Sequence, residues 1–215
     1  MNRTADIAIR VAVIAVSLVL WFWTQKLISR KAPVGAGVVD RLHSLSAPLH
    51  GWLLSKPGAA NALLIVTSIL IDVFGLYLIG ATILGPTVRP FLAMLMLFGL
   101  RQLCQGLCSL PNPDRVIWRY PGFPSLLVTY GVSNDFFFSG HTAIAVLGAL
   151  ELGHAAPAWV AFAAAVIAVL EAAAVIVLRA HFFIDVFTAA FVALACEMAA
   201  GRMAPFVDAW LRRLA

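Results

Sequence analysis

The 215 residues carry a net charge of +5, a pI near 9.6 and a mean hydropathy of +0.96, with 62% hydrophobic and only 12% charged side chains. A water-soluble domain has about twice that charged share, so the composition excludes an ordinary soluble fold and is read in membrane spans of about 20 apolar residues each. The basic balance suits residues that flank membrane segments and meet anionic lipid head groups, not nucleic-acid binding.

The apolar run behind Arg3 and Arg10 reaches about Leu27. It is long for a signal-peptide core and no small-residue cleavage site follows it, so it predicts a retained first helix over 7–28. The connection 29–60 is polar and mixed, with His43, His50 and Trp52, and suits a helix lying in the interface. A second span is expected over 61–84, ended by Gly85-Pro86, and a third over 88–110, stopped by Pro111. The connection 111–138 is rich in proline and glycine and carries Arg115, Arg119 and Asp135. Three further spans are expected over 139–154, 158–178 and 182–200.

The reading is therefore all-α: a polytopic membrane protein with one transmembrane domain over 1–215, its motif-bearing part at about 88–200. Six helices place both termini on one side and both long loops on the other, with histidines at the entrances of the fourth and sixth. Lysine and arginine are spread over both faces, so the positive-inside rule leaves the orientation open. Cys104 and Cys108 share one helix face and Cys196 is far away, the pattern of buried thiols rather than of a metal cluster.

Ionisable groups inside spans are costly and rarely accidental. Asp72, Arg101, Glu151, Glu171, Asp185 and Glu197 fall in or near the expected helices. In Asp135-Phe-Phe-Phe-Ser139-Gly140-His141-Thr142, Ser139 is a natural N-cap and Gly140 allows close approach of a ligand. A helix N-terminus binds anions, and His141 in its first turn would set a proton donor beside one; the alternative is an ordinary cap with a satisfied histidine. In Arg179-Ala-His181-Phe-Phe-Ile-Asp185, the i,i+4 spacing puts His181 and Asp185 on one helix face, so the carboxylate would fix the ring's tautomer and leave the other nitrogen to attack. Arg179 would hold phosphate oxygens in a bidentate fork; the alternative is a structural His–Asp pair. Arg101, nine residues before Leu110-Pro111-Asn112-Pro113, wants an anion or a wet cavity, or else a partner in Asp72 or Glu171.

Taken together, these motifs resemble the type 2 phosphatidic acid phosphatase superfamily, and within it the sphingomyelin synthase branch and its plant relative, phosphatidylcholine:diacylglycerol cholinephosphotransferase. That branch has an aspartate six residues before the histidine of Phe-Ser-Gly-His-Thr, as Asp135 stands to His141, and a His-Tyr-Thr-x-Asp-Val stretch matched by His181 to Val186. Arg101 before Leu-Pro-x-Pro matches too, and Arg179 is similar to the plant enzyme. Phe182 and Phe183 depart from the tyrosine and threonine. Val175 stands where plain phosphatases have an arginine, and of their lysine-rich motif only Arg89-Pro90 is left.

The resemblance implies a phosphotransferase that moves a phospho-head group from a phospholipid donor to a lipid hydroxyl of diacylglycerol or ceramide type, with no metal and no cofactor. His181 would form a phosphohistidine, Asp185 would orient it, and His141 would be the general acid and base. Arg101, Arg179, Ser139, Gly140 and Asp135 would surround the phosphate. It also implies a bacterial inner membrane, with the site on the exoplasmic or periplasmic side. A lipid phosphatase, with water as acceptor, is the nearest alternative. A haem protein with His141 and His181 as axial ligands is a remote one, disfavoured by histidines at helix ends rather than at mid-span.

Overall fold

Apolar runs of the sequence become helices because lipid offers no partner for backbone N–H and C=O groups outside a helix or closed barrel. The computed structural model describes residues 3–30, 38–130 and 137–214, and all regular structure among them is helical. Five helices are long and apolar enough to cross a membrane: α1 (Arg3–Ile28), α4 (Pro57–Leu84), α5 (Arg89–Leu107), α7 (Ala158–Val177) and α8 (Phe183–Leu214). Two short helices, α2 (Arg41–Leu45) and α3 (Ala47–Ser55), occupy the polar connection after α1.

The fourth expected span, 139–154, is α6 (Gly140–Ala155), only 16 residues long and carrying His141, Glu151 and His154. Ser139 caps its start and Pro157 follows its end. It packs centrally against α4, α7 and α8, with Ala143, Ala145 and Leu147 fully shielded. A helix sheathed by its neighbours needs less apolarity than one that faces lipid.

The last helix runs well beyond the expected end at 200. It continues through Gly201 and Pro205, because Ala200, Ala204, Asp208 and Leu211 extend a buried stripe at near-helical spacing. Asp208 Oδ1 accepts the Val88 N–H at 2.9 Å, which satisfies a donor at the start of α5 and ties α8 to it.

Charged groups gather at the end of the bundle away from His141 and His181. Arg89 pairs with Glu151 at 2.7 Å, His154 with Glu197 at 2.9 Å, and Arg10 with Asp6 at 3.0 Å. Arg10 Nη1 also donates to the Thr82 carbonyl at 3.0 Å, covering an orphan group at the end of α4.

At the other end, the connection after α5 dips back into the bundle. Asp72, midway along α4, accepts from Leu126 N–H at 2.8 Å, Leu127 N–H at 2.9 Å and the Ser125 hydroxyl at 2.9 Å. The Leu127 side chain then lies directly on Gly75, where a Cβ would come within 2.0 Å of it. Asp72 thus ties an irregular backbone to α4 and satisfies its N–H groups.

Candidate active site

The turn between α7 and α8 is built by two caps. Arg179 takes the left-handed conformation, φ 53°, at the position where a helix C-terminus usually has glycine. The Ala180 and His181 N–H groups both return to the Val175 carbonyl, at 2.9 and 3.3 Å. Asp185, in the first turn of α8, reaches back to accept the Phe182 N–H at 2.8 Å, as in a capping box. The same Oδ2 lies 3.6 Å from His181 Nδ1. The i,i+4 spacing was expected to place both residues on one helix face. His181 instead stands in the turn, two residues before α8, and the carboxylate meets it across the helix start. Asp185 is fully buried, and its carbonyl accepts the Ser139 N–H at 3.2 Å, joining the starts of α8 and α6.

This turn is braced by the α2–α3 segment, whose role the sequence did not disclose. Asp40 Oδ1 caps α2 by accepting the Leu42 N–H at 2.8 Å, and its Oδ2 accepts the Phe183 N–H at the start of α8. His43 Nε2 donates to the His181 carbonyl at 2.9 Å, and His50 Nδ1 to the Val177 carbonyl at 2.8 Å. His50 thus covers an orphan carbonyl at the C-terminus of α7, and His43 one in the turn before α8. Side chains that bond to distant backbone leave no spacing pattern to read.

His50 lies outside the spans, and burial pushes its pKa below the ordinary 6.5. A second proton would sit on Nε2, which is buried without a partner among the described residues. The native state thus binds this proton less readily than the unfolded chain. The stability it contributes is present above about pH 6.5 and declines as pH falls below that value. The His50→Asn protein keeps an amide donor for Val177 but cannot titrate. Its melting temperature should fall less than that of the parent protein between pH 7 and about 5; equal slopes would remove His50 from the account.

Arg101, Gly140, His141 and His181 line one cavity, together with Trp118. Arg101 Nε donates to the Phe138 carbonyl at 2.8 Å, and its guanidinium lies against the start of α6. A Cβ on Gly140 would sit 3.5 Å from Nε and 3.6 Å from Cζ, filling the gap between the guanidinium and the helix N-terminus. The edge of Trp118 meets the His141 ring, with centroids 5.1 Å apart. His141 Nε2 is buried without a hydrogen-bond partner among the described residues. A guanidinium, a helix N-terminus and two imidazoles around one cavity are groups that can hold an anion and pass it a proton.

Two expected site residues fall elsewhere, and a third is not among the described residues. Ser139 is completely buried and accepts from the Thr142 N–H at 3.3 Å and the Thr142 hydroxyl at 3.1 Å, so it shapes α6 rather than the cavity wall. Arg179 lines a separate recess with Asp40, His43 and Phe182, and Nη1 donates to the Asp114 carbonyl at 3.1 Å. Asp135 lies outside the described residues.

A family model for AtPDCT1/2, a phosphatidylcholine:diacylglycerol cholinephosphotransferase family, matches residues 39–202, well over half of the chain. The chain belongs to that family. The AtPDCT1/2 match spans the α2–α3 brace, Arg101, both histidines and Asp185, and leaves α1 outside. No curated protein and no solved structure matches the chain. Membership places the protein among membrane-embedded lipid phosphotransferases.

Proposed function

We propose that the protein transfers phosphocholine from phosphatidylcholine to the hydroxyl of a diacylglycerol through a phosphohistidine on His181. The observation that carries this reading is the single cavity shared by Arg101, His141 and His181, with Asp185 3.6 Å behind the His181 ring. In the first half-reaction, His181 Nε2 forms a bond to phosphorus as the bond from phosphorus to the glycerol oxygen breaks. His141 gives its proton to the departing alkoxide. In the second, His141 takes the proton of the acceptor hydroxyl, the new oxygen bonds to phosphorus, and the bond to His181 breaks. The buried Asp185 carboxylate stabilises the cationic ring, while Arg101 and the α6 N-terminus face the phosphoryl oxygens. In this reading α6 is a sixth, protein-sheathed crossing, and the histidine end of the bundle faces the exoplasmic side.

Transfer is separated from hydrolysis by the fate of the head group. Purified protein receives phosphatidylcholine labelled in choline, with or without diacylglycerol of different acyl chains. Label should pass to phosphatidylcholine bearing the acceptor's chains, with little soluble phosphocholine. Release of soluble head group with no labelled acceptor lipid would make the protein a hydrolase.

A further inference from the structure

The outward face of α1, with Val16, Val19, Leu20 and Trp23, is exposed, as a lipid-facing helix requires. Its inner face is different. Trp21 and Gln25, four residues apart and therefore stacked along one side of the helix, both line the cavity of Arg101, His141 and His181. They are 9% and 5% exposed, so each is more than nine-tenths buried. The Trp21 ring stacks on Phe98 with centroids 4.1 Å apart, which fixes its plane. Gln25 Oε1 accepts from Gln102 Nε2 at 3.0 Å, which turns the Gln25 amide nitrogen away from that contact. The Trp21 indole nitrogen and the Gln25 Nε2 are left as buried donors with no hydrogen-bond partner among the described residues. Unmatched donors are costly where lipid replaces water. Two on one face of one helix, both at the wall of a reaction cavity, mark the place where a ligand brings its acceptors.

Depth says which acceptors these are. Gln25 touches Gln102, the neighbour of Arg101, and so lies at the level of the phosphate site. Trp21 is one turn further toward the bilayer centre, about 6 Å by helical rise. In a diacyl phospholipid whose phosphorus sits between the histidines, the acceptors below the phosphate are the two ester carbonyls. We infer that Trp21 and Gln25 bind the ester carbonyl oxygens of a diacyl glycerolipid, which makes α1 the element that selects ester-linked over ether-linked lipid. The inference rests on reading the cavity as a phospholipid site and adds residues that lie outside the family match.

The test uses binding, so that it does not depend on turnover. His181→Ala protein in nanodiscs is offered an equal mixture of diacyl and dialkyl-ether phosphatidylcholine, and the retained lipids are measured by native mass spectrometry. Ether lipid keeps the shape and head group but lacks the carbonyls. The diacyl lipid should be preferred, and Trp21→Phe or Gln25→Met should each lower that preference by roughly fivefold, the worth of one neutral hydrogen bond. The ratio is read within each protein, so a general loss of binding or stability does not imitate the result. Gln25→Glu is a second route, because a carboxylate offers only acceptors and should also lower the preference. Equal retention of both lipids by the parent protein, or an unchanged ratio in all three variants, overturns the inference. A preference that disappears in the variants of a protein that transfers no head group would uphold these contacts and reject the transferase reading. Transfer without any such preference would do the reverse.

Discussion

Replacement of His181 by alanine should lower head-group transfer by at least roughly four orders of magnitude while the protein inserts and folds as before. The size follows from the role, since loss of a covalent nucleophile removes the reaction path itself rather than one stabilising contact. Survival of the fold follows from the local bonding. The turn is held through the His181 backbone, whose N–H goes to the Val175 carbonyl and whose carbonyl accepts from His43, and neither bond needs the ring. The partner histidine supplies the complementary experiment. A phosphocholine ester of p-nitrophenol releases an anion that needs no proton, so His141→Ala should still form the intermediate on His181. It should then stall, because no base remains to activate the lipid hydroxyl. One equivalent of p-nitrophenolate and an acid-labile label on the peptide containing His181 are the expected observations. If His181→Ala kept more than about one per cent of wild-type transfer, or if the stalled label lay elsewhere, another group would be the nucleophile.

The sequence made the helices, Arg101, Gly140 and both histidines readable because each sits in a short segment whose spacing has a physical meaning. Apolar length announces a membrane helix, and a Ser-Gly-His stretch announces a helix start open to an anion. What escaped was carried by distant segments. Asp40, His43 and His50 act on the backbone around 177–183, and bonds to carbonyls and N–H groups impose no partner residue that could be recognised. Trp21 and Gln25 fall within the apolar run of α1, and their place at the cavity wall follows only from the packing of α1 against α5. Asp185 was read as an orienting carboxylate, and its second task as the cap of α8 came from the turn that precedes the helix. The left-handed backbone at Arg179 sends that residue to a neighbouring recess, a displacement that linear spacing does not reveal. The last helix was expected to end at 200, but the buried stripe through Ala204, Asp208 and Leu211 keeps α8 going past Pro205.

Arg101→Lys keeps the charge and should still cost roughly a hundredfold to a thousandfold in kcat/KM, mostly in kcat. The arginine does two things at once. Its Nε–H bonds the Phe138 carbonyl at 2.8 Å, just before the Ser139-Gly140 start of α6, and its guanidinium faces the cavity beside Gly140. On the proposed reading the planar fork holds the helix start and the phosphate in one fixed relation. A lysine ammonium is a point charge on a flexible stem. It can approach either the carbonyl or the phosphate, but it cannot meet both in one plane. Phe138 is completely buried, so a carbonyl left without its donor in that position is also costly. Binding of the ground-state lipid depends mainly on net charge and apolar contact, which lysine preserves. Stabilising the phosphoryl group as it passes between His181 and an alkoxide depends on donors held in place beforehand, which lysine loses. KM should accordingly change by less than about threefold while kcat falls, and Arg101→Gln, which removes the charge as well, should lose activity further. Initial rates with labelled phosphatidylcholine over a range of mole fractions in mixed micelles separate the two constants. If Arg101→Lys turned over within threefold of the parent, Arg101 would be a structural tie between α5 and α6, and the charge opposing the phosphate would have to come from another residue.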